Sequence, residues 1–209
     1  MSTVRSPYIV LIDDDSRSPQ NEALVDFLTS AYGNDRVHLF DEPDDGIKFI
    51  KNHLSERIIV LLDIMFNGKA EGFNVFKQIT NESNLVCVII MTGILEYVDQ
   101  KELKELINGN AWYLVTRDES AREILKIVKR ADEHLAMRVD GAIEQWVLRQ
   151  NPEDLQKKFI KSRNGKSYTL LDILRAIRTG DDPIGQEMVN DILQLAITMI
   201  SEDESLIND

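Results

Sequence analysis

Short apolar runs recur along the first two thirds of the chain, with more polar segments between them. Each run has four or five residues and most are rich in β-branched side chains, a pattern that predicts strands buried on both faces. The runs are YIVLI (8–12), VHLF (37–40), IIVLL (58–62), VCVII (86–90) and WYLV (112–115).

In the segments between these runs, apolar residues recur every three or four positions, as on one face of an amphipathic helix. The four sets are Ala23, Leu24, Phe27, Leu28 and Ala31; Ile47, Phe49, Ile50 and Leu54; Phe73, Val75, Phe76 and Ile79; and Val98, Leu103, Leu106 and Ile107. A fifth helix is expected to start near Glu119. Alternating strands and helices predict an α/β fold, a five-stranded doubly wound parallel sheet in residues 1–135.

Polar residues directly follow three of the predicted strands. Asp13, Asp14 and Asp15 follow the first run, Asp63 follows the third and Thr92 follows the fourth. Because the carboxyl ends of parallel strands meet at one edge, we expect these side chains to share a crevice there. Clustered carboxylates suit a hard divalent cation, most simply Mg²⁺. The alternative for any one acid is a solvated loop residue or a helix N-cap.

In this order and spacing, the residues resemble the receiver domain of two-component response regulators, which has a flavodoxin-like fold. The family's acid pair is matched by Asp13 and Asp14, and its phosphoacceptor by Asp63 in LLDIMFNGKAEGF. Its hydroxyl residue is matched by Thr92 in IIMTG, and its strand-5 aromatic by Tyr113 in NAWYLV. The likeness covers roughly residues 6–135.

The resemblance implies a signalling module rather than an enzyme. Asp63 is then expected to accept a phosphoryl group from a histidine of a partner kinase or phosphotransfer protein. Asp14 and Asp63 are expected to ligate Mg²⁺ directly and Asp13 through water, with the backbone carbonyl of Met65 completing the protein's share. Asp15 is interpreted as the acidic start of the first helix, where a negative charge is favourable.

The chain departs from the family pattern at two places. The family has a lysine, usually followed by proline, at the end of strand 5, but WYLVTRDES places Thr116 and Arg117 there. The loop after Asp63 lacks the common proline, is one residue longer and contains Lys69. Arg117 and Lys69 are candidates for the missing charge, and solvated positions are the alternative for both. A phosphorylation-independent pseudo-receiver is therefore the alternative function.

The segment from Ser120 to Gln150 contains no proline, and Gly141 is its only glycine. Its apolar spacing predicts one long helix with a coiled-coil-like seam that packs on another helix. The partner helix belongs either to a second copy or to the chain's own tail, and a homodimer is our prediction. The seam residues are Ile124, Val128, Ala131, Leu135, Val139, Ala142 and Trp146.

Residues 136–209 are interpreted as a small helical extension that mediates output or dimerisation through protein contact with a downstream partner. Thr169 and Asp172 resemble a capping arrangement, and Gly180 is typical of a helix stop. KKFIKSRNGK (157–166) is interpreted as a solvated helix end and loop, with contact to phosphate or an acidic partner as the alternative. The last helix has a broad apolar face that must be buried against something: Met188, Ile192, Leu195, Ala196 and Met199.

Composition limits the other function classes. The net charge is −12, so nucleic acid binding is disfavoured and a DNA-binding transcription regulator is the third choice. Apolar runs are too short to cross a membrane, and the N-terminus lacks a secretory pattern, so a cytoplasmic location is expected. The lone cysteine, Cys87, excludes a disulfide within the chain and is expected to be a buried thiol.

Overall fold

The computed structural model describes residues 6–83, 85–93, 100–109, 111–116, 118–162 and 165–202. The chain divides after Met137 into an N-terminal unit, residues 1–137, and a C-terminal unit, residues 138–209. Each unit contains its own clusters of buried apolar side chains. None of the helices formed by the described residues combines the length and the apolar character needed to cross a membrane.

The N-terminal unit contains the predicted five-stranded parallel sheet, with strand order β2-β1-β3-β4-β5. The chain runs to β2 on one side of β1 and to β3 on the other, which makes the β1/β3 edge the switch point where ligands bind in such sheets. The strands are β1 (Tyr8–Ile12), β2 (Val37–Phe40), β3 (Ile58–Asp63), β4 (Cys87–Thr92) and β5 (Tyr113–Thr116).

Four helices connect these strands and a fifth follows β5, and together they cover both faces of the sheet. They are α1 (Pro19–Tyr32), α2 (Pro43–Asn52), α3 (Gly72–Glu82), α4 (Gln100–Asn108) and α5 (Ala121–Met137). Alternate residues of the central strands pack against α2, α3 and α4 on one face and against α1 and α5 on the other. Cys87 is buried in β4, as expected. Of the residues predicted for the fourth helix, Val98 and the side chain of Leu103 lie outside the described residues.

The prediction of one long helix from Ser120 to Gln150 is wrong. Helix α5 ends at Met137, Arg138 is extended (φ −82°, ψ 122°), and a separate helix, α6 (Val139–Leu148), follows. The Arg138 guanidinium donates to the Asp140 carboxylate at 2.6 and 3.0 Å, in the first turn of the new helix. These contacts hold the pKa of Asp140 below its ordinary value despite the opposing effect of burial, which is the largest single influence.

The proposed coiled-coil seam is also wrong for its first four members. Ile124, Val128, Ala131 and Leu135 are buried, and they pack on the sheet of their own unit together with α1. Any amphipathic helix that packs on a sheet repeats its apolar residues every three or four positions, so the spacing could not distinguish the two cases. These four residues therefore cannot form the contact between two copies, and the homodimer itself stays a prediction.

The C-terminal unit is helical, as predicted, but it also contains a β-hairpin. Its elements after α6 are α7 (Pro152–Leu155), β6 (Lys158–Lys161), β7 (Ser167–Thr169), α8 (Leu170–Thr179) and α9 (Ile184–Glu202). Strands β6 and β7 pair antiparallel. The interpretation of residues 157–166 as a helix end and loop is therefore wrong, because residues 158–161 form a strand.

The ends of α8 are as predicted. The Thr169 hydroxyl accepts a hydrogen bond from the Asp172 amide at 3.1 Å, and the Asp172 carboxylate accepts one from the Thr169 amide at 2.8 Å. The latter bond is the largest of the interactions that lower the pKa of Asp172. Gly180 ends the helix in the left-handed region, at φ +67°.

Candidate metal and phosphoacceptor site

Three carboxylates come together at the carboxyl edge of the sheet. One oxygen from each of Asp13, Asp14 and Asp63 lies within 4.8 Å of the others. The β1/β3 register pairs Ile12 with Leu62, so the residues that follow them emerge side by side. Asp13 and Asp63 are buried, whereas Asp14 is exposed. The sequence predicted this grouping from the ends of the strands.

The Asp13 carboxylate is held in place by hydrogen bonds from residues that follow it closely in the chain. One oxygen accepts the Asp15 amide at 2.8 Å, and the other accepts the side-chain amide of Asn21 at 3.1 Å. Asn21 is buried in the first turn of α1 and also donates to the Asp15 carbonyl at 2.9 Å. The interpretation of Asp15 as the start of the first helix is wrong, because α1 begins at Pro19 and is capped by Ser18.

The exposed Asp14 is held by the loop between β3 and α3. The backbone amide of Asn67 donates to the Asp14 carboxylate at 2.6 Å. Phe66 and Lys69 exchange two backbone hydrogen bonds, at 2.8 and 2.9 Å, and enclose Asn67 (φ +50°) and Gly68 (φ +73°). Positive φ at both central residues is the geometry of a type I′ turn, which Asn-Gly favours. The longer loop of this chain is therefore a tight turn that reaches the acid cluster.

The start of α3 lies directly against the backbone of Asp63. The Gly72 amide donates to the Ile64 carbonyl at 2.9 Å, which closes the loop. A Cβ at position 72 would lie 2.3 Å from the Asp63 carbonyl oxygen and 2.5 Å from the Ile64 Cα. Only glycine permits this approach. Sequence reasoning missed Asn21, Asn67 and Gly72, although the Asn-Gly dipeptide was a usable signal for the turn.

Thr92 and Tyr113 occupy different levels of the sheet. Thr92 is buried at the end of β4, one residue beyond Met91, which is the register partner of Asp63 in β3. It pairs with Thr116 at the end of β5. Tyr113 begins β5, is 37% exposed, and has the Arg130 guanidinium 5.9 Å from its ring centre. The structure therefore places Thr92 at the carboxyl edge and Tyr113 at the opposite end of a four-residue strand.

Comparisons with known proteins agree with this architecture. No protein-family model matches the chain, and no curated protein matches it. Among solved structures, a CheY-like response regulator receiver domain from Methanospirillum hungatei is 18% identical, with a TM-score of 0.51 over 63% of this chain and 97% of that one. The fold is that of a response regulator receiver domain.

A second solved structure, NtrX from Brucella abortus in complex with ATP, is also 18% identical, with a TM-score of 0.52 over 70% of this chain. The match covers only 30% of the NtrX chain. At this level of identity the likeness shows the fold alone. Residues 1–137 are called the receiver-fold unit from here on.

The receiver-fold unit holds a donor set that suits Mg²⁺. Three carboxylates on neighbouring loops provide hard oxygen ligands, and the exposed Asp14 leaves the cluster open to solvent on one side. The predicted ligand Met65 lies two residues after Asp63 and is 37% exposed. The part assigned to its backbone carbonyl stays a prediction.

The two candidates for the missing positive charge are not equally placed. Lys69 is 76% exposed, and its ammonium lies 4.0 Å from the Glu71 carboxylate. Lys69 is therefore a solvated loop residue, the alternative stated above. Arg117 lies outside the described residues. Thr116 is the last residue of β5, so an uncharged side chain occupies the strand end where the family pattern has lysine.

Proposed function

We propose that the protein is a response regulator whose Asp63 accepts a phosphoryl group from a histidine of a partner kinase or phosphotransfer protein. The observation that supports this proposal is the meeting of Asp13, Asp14 and Asp63 at the switch point of a receiver fold. Thr92 ends β4 at the same edge, one residue beyond the register partner of Asp63, and we assign its hydroxyl to contact with a phosphoryl group on Asp63.

In the proposed transfer, an Asp63 oxygen forms a bond to phosphorus while the bond from phosphorus to the histidine nitrogen breaks and leaves its electron pair on the ring. Bound Mg²⁺ supplies positive charge against the phosphoryl oxygens. Asp13, Asp14 and Asp63 would hold the ion, and Asn21 and the Asn67 amide fix the orientations of the first two carboxylates. Gly72 keeps the backbone of Asp63 in register with them.

The proposal also includes the location, the class and the output of the protein. The protein acts in the cytoplasm and is a signalling protein rather than an enzyme. Its output is contact between the C-terminal unit and a downstream protein. The separate core of that unit supports a role of its own.

The direct test is to incubate the purified chain with Mg²⁺ and acetyl phosphate or phosphoramidate and to measure intact mass. We expect one phosphoryl adduct on the wild type and none on Asp63→Asn. Asp45→Asn is a matched control, because Asp45 is an exposed acid in the first turn of α2, and it should be modified like the wild type. An adduct that persists in Asp63→Asn would refute the assignment of Asp63.

The second candidate is a pseudo-receiver that acts without phosphorylation, and Thr116 is the observation that favours it. Under this alternative Mg²⁺ still binds, but no donor gives an adduct. Thr116→Lys restores an ammonium at the end of β5, and charge-assisted contacts contribute roughly 1.5–3 kcal/mol. An adduct that forms only in Thr116→Lys would establish that the wild type has lost the switch.

A further inference from the structure

Helix α9 extends beyond the core of the C-terminal unit with its apolar surface uncovered. Its first half packs on α6 and α8 through Met188, Val189 and Ile192. At 100° per residue the same apolar arc continues through Leu195, Met199 and Ile200 of the second half, which is exposed along its whole described length. Its large aliphatic side chains are between 39% and 62% exposed: Leu193, Leu195, Ile197, Met199 and Ile200. Exposed apolar patches of this kind mark interaction sites.

The charges in this part of the sequence restrict what can cover α9. After Arg178 the chain contains no lysine or arginine and eight acids: Asp181, Asp182, Glu187, Asp191, Glu202, Asp203, Glu204 and Asp209. Asp181 and Asp182 precede α9 and are paired with Arg175 and Lys166. Glu187 and Asp191 are exposed on α9, and the helix contains no cation, so pairing two copies of α9 would bring like charges together. The helix therefore needs a partner surface that is both apolar and basic.

The hairpin of the same unit provides such a surface. Residues 157–166 contain five cations and no acid. Phe159 of β6 is 47% exposed and lies 6.0 Å from the ring of Trp146, which is 45% exposed. Lys158 and Lys161 are exposed and form no ion pair with another described residue. Aromatic side chains are enriched at interfaces, where Trp is a frequent anchor. The neighbouring lysines give this surface its basic charge.

We propose that two copies of this chain form a dimer in which the second half of α9 of each copy covers the Trp146–Phe159 surface of the other. Each copy supplies one helix and one hairpin surface, so a twofold axis satisfies both and the assembly closes at two. The proposal does not depend on phosphorylation of Asp63. It replaces the seam predicted in α5, which the fold buries.

The first measurement is the mass of the full-length chain by sedimentation equilibrium at tens of micromolar. We expect twice the chain mass, and a dissociation constant that rises with salt because the contact pairs acidic and basic surfaces. Met199→Glu should weaken the dimer about tenfold or more, whereas Gln194→Glu, which adds the same charge to the polar side of the same helix, should have little effect. Circular dichroism of each variant checks that it is folded.

Mixing two variants tests the reciprocal arrangement. Phe159→Glu should weaken the dimer as Met199→Glu does. A mixture of these two chains should form more dimer than either alone, since one of the two contacts in the mixed dimer is between wild-type surfaces. A monomeric wild type, as expected if α9 is covered by another protein or by this chain itself, would overturn the proposal. So would a dimer that Phe159→Glu leaves intact, which is the result expected for pairing of α9 with α9.

Discussion

Carboxylates that lie within 4.8 Å of one another repel, and the neighbouring backbone holds them together. Asp13 receives one hydrogen bond from the Asp15 amide in the loop after β1 and one from Asn21 in the first turn of α1, and Asp14 receives one from the turn after β3. These neutral donors offset part of the repulsion before an ion binds. The arrangement is therefore preorganised for a cation, and its affinity should depend on residues that never touch the ion.

Gly68 gives the sharpest test of that dependence. Its φ of +73° disfavours a β-branched side chain although nothing lies within 4 Å of the Cβ position, so Gly68→Val strains the turn without creating a clash. We expect displacement of the Asn67 amide from Asp14 and a weakening of Mg²⁺ binding by about three- to tenfold, up to roughly 1.4 kcal/mol. Isothermal titration calorimetry measures the change.

Gly165→Val is the matched control, because Gly165 has a φ of +88° and equally open surroundings but lies in the C-terminal unit. Its Mg²⁺ affinity should equal that of the wild type. Equal weakening in both variants, or none in Gly68→Val, would show that the turn does not position Asp14.

At this scale the sequence predicted the acids but not the groups that orient them. Asp13, Asp14 and Asp63 follow buried strands, and the parallel arrangement brings strand ends together whatever the details of the loops. The contribution of Asn67 comes from a backbone amide, whose direction depends on turn type rather than on side-chain chemistry. The need for glycine at position 72 depends on how closely α3 approaches β3, which is a matter of packing.

Among the elements, α6 and α8 are joined by a pair of oppositely charged residues in the C-terminal unit. The Arg178 guanidinium donates to the Glu144 carboxylate at 2.7 Å, and the two side chains are 20% and 4% exposed. Around them pack Ile143 and Val147 of α6 and Leu174 of α8. Removing one partner of a buried pair costs more than the pair contributes, because the other charge stays in the interior.

We therefore expect Arg178→Ala to lower the free energy of unfolding of the C-terminal unit by about 3 kcal/mol, as for other broken buried pairs. Arg175→Ala on the same helix is the control. Its ion pair with Asp181 is longer, at 3.5 Å, and its side chain is 76% exposed, so the loss should stay within about 0.5 kcal/mol. Urea denaturation followed by circular dichroism measures both. Similar losses in the two variants would mean that the buried ion pair contributes no more to the free energy of unfolding than the exposed pair does.

The elements also show where periodicity stops being informative. The spacing of apolar residues through α5 and α6 is continuous, yet the backbone at Arg138 is extended and interrupts the helix. The Arg138 side chain pairs with Asp140 in the first turn of α6. The strand β6 was missed because its four residues, KFIK, carry two lysines and have no long alternation. By contrast, the Thr169 cap and the Gly180 stop are local signals, and both were read correctly.

For the whole molecule, the alternation of strands and helices was enough to predict the sheet, because right-handed crossovers leave few ways to arrange it. The C-terminal unit has no comparable rule. Its short elements are fixed by contacts among α6, α8 and α9, which a single sequence does not specify. Its function must therefore be argued from surface chemistry, and the remaining alternative there is DNA binding.

The charge of the whole chain predicts that it does not bind DNA. Binding depends on releasing counterions from phosphates, which requires a field of positive charge, and the net charge here is −12. The basic segment 157–166 adds little positive field for DNA, since Lys157 and Lys166 are already paired with Asp154 and Asp182.

We expect a labelled duplex to show no change in fluorescence anisotropy at about 50 mM salt, with a dissociation constant weaker than roughly 10⁻⁴ M. Lys161→Glu should give the same baseline. Tight wild-type binding that falls with salt and is weakened by Lys161→Glu would instead make the hairpin a nucleic acid contact, and output through DNA would replace output through protein contact.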